Sequence, residues 1–194
     1  TQAIELDPKD VEALNNRGVA RRAKGDLDGA IEDYTRALEL DPKDVEALNN
    51  RGVARNDKGD LDSAIADYTL AIDIDPKMAG AWSNRGNARR KKGDLDGAIE
   101  DYTQALQLDP NLAMAWNNRG LARKDKGDLD GAIADFTLAI ELDPNLAMAW
   151  NNRGTARITK GDLDGAITDY TRALDLDPKK KEAWINRGTA QPKK

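Results

Sequence analysis

Six prolines recur at a constant spacing and set the repeat length of the chain. They are Pro8, Pro42, Pro76, Pro110, Pro144 and Pro178, each 34 residues from the next, and the residues between them recur with the same period. A segment of this length cannot bury an apolar face alone, and it does so by stacking on copies of itself. The period therefore predicts a solenoid of stacked repeats.

The repeats have clear boundaries when positions are counted from Val11. Full repeats are 11–44, 45–78, 79–112, 113–146 and 147–180, whereas residues 1–10 match the end of a preceding repeat and residues 181–194 match the beginning of a sixth. Composition does not change from one repeat to the next, so the sequence predicts a single solenoid over residues 1–194. The chain starts inside a repeat, which leaves room for a leader or a larger partner domain before it.

The repeat 113–146 shows how each one is built. Residues 113–126 suit a first helix, and Gly127 permits the left-handed turn that ends it. Asp128 is placed to cap a second helix, which ends before Pro144 because proline disfavours helical backbone at the residue before it. Short turns at both ends make the two helices antiparallel. The predicted fold class is therefore all-α, an α-solenoid of antiparallel helical hairpins.

The residues that carry this pattern also indicate a family. In the repeat 113–146 they are Trp116, Gly120, Ala132, Phe136, Ala139 and Pro144, and equivalent residues recur along the whole chain. The pattern resembles the tetratricopeptide repeat. The resemblance implies a right-handed superhelix in which the first helices line a concave groove that binds protein ligands.

Two arginine positions on the first helix depart from the family pattern. They hold Arg17, Arg51, Arg85, Arg119 and Arg153, and Arg21, Arg55, Arg89, Arg123 and Arg157. At 100° per residue, both positions lie within about 60° of the large inward residue, so both point towards the second helix. An aspartate recurs there at Asp33, Asp67, Asp101, Asp135 and Asp169. A partly buried arginine needs a partner, so we expect internal pairs such as Arg119 with Asp135. The alternative is that the arginine stems lie on the core and their charged heads lie in water.

Asparagine dominates the side of the first helices that should face the groove. One position holds Asn16, Asn50, Asn84, Asn118, Asn152 and Asn186, and the position before it holds Asn15, Asn49, Asn117 and Asn151. An asparagine amide both donates and accepts, so it can hold the backbone of an extended peptide whatever its side chains. The resemblance implies this use, since some tetratricopeptide proteins bind extended polypeptide with such a ladder. The alternative is that each asparagine bonds a neighbouring helix or turn.

Variable positions on the same side should select the side chains of a ligand. The later repeats carry apolar residues there, namely Met114, Leu121, Met148 and Ile158. The earlier repeats carry charges of alternating sign, such as Glu12 and Arg22. Exposed methionine and aliphatic side chains favour adaptable apolar contacts. We therefore expect the apolar part of an extended ligand to contact the fourth and fifth repeats.

Several function classes are not supported by the sequence. With no histidine and no cysteine, no catalytic residues are predicted, and the usual zinc sites and thiol chemistry have no ligands. The recurring GDLDG lacks the further carboxylates of a calcium loop and is explained by helix capping. The net charge of -5 does not favour nucleic-acid binding. Apolar runs are too short for a membrane span and no secretion signal is present. We predict a soluble protein without a metal or cofactor, for which the cytoplasm is favoured.

The leading prediction is a non-catalytic interaction scaffold that holds an extended peptide or a partner helix. One alternative is a structural solenoid whose incomplete ends, 1–10 and 181–194, let copies stack end to end. Another is a regulatory fragment of a larger enzyme. The near-identical segments that begin at Ala113 and Ala147 also fit an engineered or recently duplicated sequence.

Overall fold

Ten α-helices and no strand make up residues 10–179, which the computed structural model describes together with Trp184. They are α1 Val11–Ala23, α2 Leu27–Leu40, α3 Val45–Lys58, α4 Leu61–Ile74, α5 Ala79–Lys92, α6 Leu95–Leu108, α7 Ala113–Lys126, α8 Leu129–Leu142, α9 Ala147–Lys160 and α10 Leu163–Leu176. Successive helices pair into five hairpins, hairpin 1 (α1 and α2) to hairpin 5 (α9 and α10). The predicted all-α fold of helical hairpins is confirmed.

The chain divides into two compact units. The N-terminal unit is Thr1–Leu108, with hairpins 1 to 3, and the C-terminal unit is Asp109–Lys194, with hairpins 4 and 5. The predicted continuity of one solenoid over residues 1–194 stays a prediction. Apart from Asp10 and Trp184, the predicted partial repeats at the two ends lie outside the described residues.

Turn chemistry sets the ends of the helices as the sequence predicts. Gly127 ends α7 with φ 93°, which is the left-handed conformation that glycine tolerates. The Asp128 side chain accepts from the Gly131 amide at 2.9 Å and caps α8. Asp143 is extended at the end of α8, as expected for a residue before proline. Each hairpin is therefore closed by a glycine turn and followed by a proline turn.

The core of each hairpin depends on a close approach between its two helices. In hairpin 4, a Cβ on Gly120 would lie 2.7 Å from a ring atom of Phe136. Only glycine leaves room for that ring, and Ala132 and Ala139 on α8 are likewise fully buried.

No helix among the described residues is long and apolar enough to cross a membrane.

The start of the first helix is built in two ways. In hairpins 1 and 2 an aspartate caps the helix, as where Asp44 accepts from the Ala47 amide at 3.0 Å. In hairpins 3 to 5 the cap residue is apolar and makes no side-chain cap bond. There a tryptophan replaces the inward leucine, and the indole of Trp116 donates to the Pro110 carbonyl at 2.8 Å.

Candidate functional site

Each hairpin contains one buried aspartate held by two arginines. In hairpin 4, Arg119 donates from Nε to Asp135 Oδ2 at 2.9 Å and from Nη2 to Oδ1 at 2.8 Å. The Nη1 of Arg123 lies 2.9 Å from the same carboxylate, which is 1% exposed. The aspartates with this arrangement in the other hairpins are Asp33, Asp67, Asp101 and Asp169. The predicted internal pairing is confirmed, and the alternative with charged heads in water is wrong.

The first arginine of each pair makes further internal contacts. The Arg119 guanidinium lies 4.6 Å from the ring centroid of Trp116, and Arg85 and Arg153 stack on their tryptophans in the same way. Bonds also join neighbouring hairpins: Arg153 Nη1 donates to Thr137 Oγ1 at 3.0 Å. Because these guanidinium groups lie between helices, they do not form a basic groove.

The first helices lie on the inner side of each unit. In the N-terminal unit α1 contacts α3 and α3 contacts α5, and in the C-terminal unit α7 contacts α9. No such contact joins the second helices of successive hairpins in the described part of either unit. We call the side chains along the inner side the first-helix surface. In the C-terminal unit it comprises Met114, Asn117, Asn118, Leu121, Lys124, Met148, Asn151, Asn152, Thr155 and Ile158.

The asparagines of this surface bond one another across hairpins. Asn152 Nδ2 donates to Asn117 Oδ1 at 2.9 Å, and Asn84 Nδ2 donates to Asn49 Oδ1 at 2.9 Å. Each bond joins asparagines 35 residues apart, from the two adjacent asparagine positions. The repeated Asn-Asn dipeptide could have indicated this bond from the sequence. Neighbouring first helices are offset by one position, so the second asparagine position of one helix lies beside the first asparagine position of the preceding helix.

The predicted asparagines differ in their exposure. Asn16 is exposed, whereas Asn50, Asn84, Asn118, Asn151 and Asn152 are half-buried. Asn117 is only 1% exposed, so its amide holds Asn118, Asn152 and the Met148 sulfur rather than facing solvent. Asn186 lies outside the described residues. Asn49 with Asn84 and Asn117 with Asn152 therefore link hairpins, and the role of the asparagines in peptide binding stays a prediction.

The four predicted apolar residues fall into two pairs. Met114 and Met148 are 48% and 38% exposed, and both lie at the start of their helices. Leu121 packs against the cluster around Phe136, and Ile158 packs against the cluster around Tyr170. The methionines are thus more exposed than Leu121 and Ile158, which are half-buried.

In the N-terminal unit, polar contacts cross between the ends of the first helices. Arg22 Nε donates to Asp57 Oδ2 at 2.8 Å, and Lys91 Nζ donates to Asn56 Oδ1 at 3.0 Å. Of these four residues, Arg22 is the one named above as a charged position expected to select ligand side chains. It pairs with Asp57 of the next hairpin, and its part in selecting a ligand stays a prediction.

Tyrosine hydroxyls lie beneath this surface. The Tyr102 hydroxyl donates to Asn87 Oδ1 at 2.7 Å, and burial raises the pKa of Tyr102 to about 12. Burial also raises the pKa values of Tyr34, Tyr68 and Tyr170. The phenols therefore stay neutral and contribute no anionic nucleophile or base near neutral pH. No group of three or more potential metal ligands occurs among residues 10–179 and Trp184.

Family comparisons match nearly the whole chain. Tetratricopeptide repeat models match residues 1–44 and 20–79, and residues 113–146 and 147–180. A further TPR repeat model matches residues 86–127. No curated protein matches the chain significantly.

Solved structures give the same result. The crystal structure of MamA is 31% identical, with a TM-score of 0.76, and the match covers 85% of this chain and 96% of that one. YrrB, described as a TPR protein with an unusual peptide-binding site, is 24% identical, with a TM-score of 0.75 and 96% of both chains covered. PilF of Pseudomonas aeruginosa is 18% identical, with a TM-score of 0.83, 96% of this chain covered and 85% of that one. The fold is that of a protein-interaction scaffold, the repeat models match most of the chain, and MamA is 31% identical over 85% of it. The chain therefore belongs to the tetratricopeptide repeat family.

Proposed function

We propose that the first-helix surface of the C-terminal unit binds an extended polypeptide segment. The observation that carries the proposal is the pair of exposed methionines, Met114 and Met148, beside a row of half-buried asparagines. Exposed methionines offer an adaptable apolar contact to a ligand. The chain acts as a non-catalytic scaffold in this proposal.

The asparagines retain hydrogen-bonding capacity after linking the hairpins. Asn152 uses one of its two amide hydrogens on Asn117, which leaves the second hydrogen and its own carbonyl oxygen. A peptide backbone offers one donor and one acceptor at each residue other than proline. Asn152 can therefore link the hairpins and hold a ligand backbone at the same time, as the ladder prediction requires.

A peptide array tests this proposal. Asn152→Ala and Asn118→Ala should weaken binding of all bound peptides to a similar degree, by about twofold to tenfold, since each loses roughly one hydrogen bond. Asn145→Ala is the matched control, because Asn145 lies in an exposed turn outside the first-helix surface. Thermal unfolding of each variant separates loss of binding from loss of the Asn117 link.

Two results would contradict the proposal. If neither asparagine variant weakens binding, the asparagines serve only to link hairpins. If Met148→Ser binds the same peptides as the wild type, the exposed methionines are not part of the site.

End-to-end stacking of copies stays a prediction, because the ends on which it depends lie outside the described residues. Light scattering over a concentration series tests it. A monomer at the highest concentration would contradict it.

A further inference from the structure

The side chain of Lys124 differs from its counterparts in the N-terminal unit. There two of the three equivalent residues, Arg22 and Asn56, bond the next first helix through Asp57 and Lys91. In the C-terminal unit the corresponding partner position holds Thr159, and no bond joins it to Lys124 among the described residues. The ion pair seen for Lys124 is with its chain neighbour Asp125, at 3.7 Å. The ammonium of Lys124 is therefore only loosely paired.

We propose that the ligand of the C-terminal unit carries an acidic side chain that pairs with Lys124, about two or four residues from an apolar side chain that contacts Met148. This inference rests on the proposed function, because it specifies the chemistry of the same ligand. The proposed ligand is an extended peptide that carries this pair of side chains.

The spacing follows from the positions of the two contacts. Met148 lies against Asn117, since its sulfur is 3.8 Å from Asn117 Nδ2. Lys124 follows Asn117 by two helical turns on nearly the same face, a rise of about 10 Å. An extended peptide advances about 3.3 Å per residue and presents alternate side chains to one face. The two contacts are therefore about three residues of extended chain apart, and side chains two or four residues apart, about 7 or 13 Å, can reach both from one face of the peptide.

The charge argument favours a carboxylate at the second contact. The two arginines of α7, Arg119 and Arg123, pair with Asp135 inside the hairpin. Lys124 keeps 27% of its side chain exposed at the inner surface, so a ligand carboxylate can approach it without breaking a buried pair.

Selection from a displayed library of random peptides tests this inference on the full chain. Peptides enriched on the wild type should carry an apolar and an acidic residue at the stated spacing. On Lys124→Glu they should carry a basic residue in place of the acidic one, while the apolar residue stays the same. A synthetic copy of a selected acidic peptide should bind Lys124→Glu about fivefold more weakly, and its acid-to-lysine form should recover that loss.

The control and the outcomes separate this inference from the proposed function. Arg172→Glu makes the same change in charge on an exposed part of α10 and should leave the selected peptides unchanged. Enrichment of apolar peptides without an acidic preference, or an acidic preference that Lys124→Glu leaves intact, overturns this inference alone. Failure to enrich any peptide on the wild type overturns both the inference and the proposed function.

Discussion

The two units share an interior and differ on the first-helix surface. Asp67 in the N-terminal unit and Asp135 in the C-terminal unit are each held by two arginines, with oxygen to nitrogen distances of 2.7 to 3.0 Å. The surfaces diverge, because Arg22 and Asp57 bridge the hairpins of the first unit and Met114 and Met148 are exposed in the second.

This difference separates residues that build the stack from residues that are free to vary. An interior position meets the same neighbours in every hairpin, so a change there must be compensated in the adjoining helix. An exposed position on the first-helix surface, such as Met114, meets solvent. Repetition inside and variation outside are therefore expected of a scaffold whose recognition surface has diverged.

The largest expected effect tests whether the interior is equivalent in the two units. Asp67→Asn and Asp135→Asn should each lower the unfolding free energy by about 3 to 5 kcal/mol, because two partly buried arginines lose their counter-charge. Asp130→Asn, whose side chain is 81% exposed, is the control and should cost under about 1 kcal/mol. Urea denaturation measures all three. A clear loss in one unit only would break the comparison.

Removing a buried leucine of the N-terminal unit should have the next largest effect. Leu48→Ala should cost about 2 to 5 kcal/mol, because Leu48 is 3% exposed and its loss leaves a cavity between hairpins. Leu70→Ala, at a side chain that is 49% exposed, should change stability by less than about 0.5 kcal/mol. Equal losses in the two variants would contradict the assigned packing.

Trp116→Leu introduces into hairpin 4 the leucine that hairpins 1 and 2 carry at this position, Leu14 and Leu48. We expect a loss of about 1 to 2 kcal/mol, since the variant loses the stacking on Arg119 and the bond to the Pro110 carbonyl. The double variant Trp116→Leu with Leu112→Asp should recover part of the loss by restoring the aspartate cap seen in hairpin 2. No recovery would mean that the two ways of starting the helix are not interchangeable.

Alkaline pH should affect the tyrosine-rich N-terminal unit more than the C-terminal unit. The folded pKa of Tyr102 is about 12 and the unfolded value about 10. The unfolded chain therefore loses the phenol proton first, and stability falls as pH rises from 10 to 12. Tyr102→Phe should therefore reduce the loss of unfolding free energy at pH 11 by about 1.4 kcal/mol. Denaturant titrations at pH 9 and pH 11 measure it, and an unchanged pH dependence in the variant would refute it.

The smallest expected effect concerns the exposed ion pairs between hairpins. Lys160 pairs with Asp130, and Lys92 pairs with Asp62 in the other unit. Lys160→Ala and Lys92→Ala should each cost under about 1 kcal/mol, with the difference from wild type shrinking in high salt. Thermal unfolding at two salt concentrations checks both, and a salt-independent loss would argue against an ionic contribution.

Much of the interior was predictable because it depends on local spacing. The 34-residue period, Gly127, Asp128 and Pro144 fix the hairpins through short-range backbone chemistry. The partner of Arg119 was also predictable, because helical periodicity places the arginine towards α8 and burial requires a counter-charge. The candidate site was predicted less well, since Leu121 and Ile158 lie on the expected face but pack partly into the core.

The sequence by itself determined the repeat, the helix ends and the internal arginine and aspartate pairs, because each follows from periodicity within one hairpin. Only the tertiary structure decided which side chains of the first helices face each other across hairpins. The bond from Asn152 to Asn117 and the loose pairing of Lys124 depend on how far one helix is shifted against the next. That shift is set by packing between hairpins, and a single repeat does not contain it.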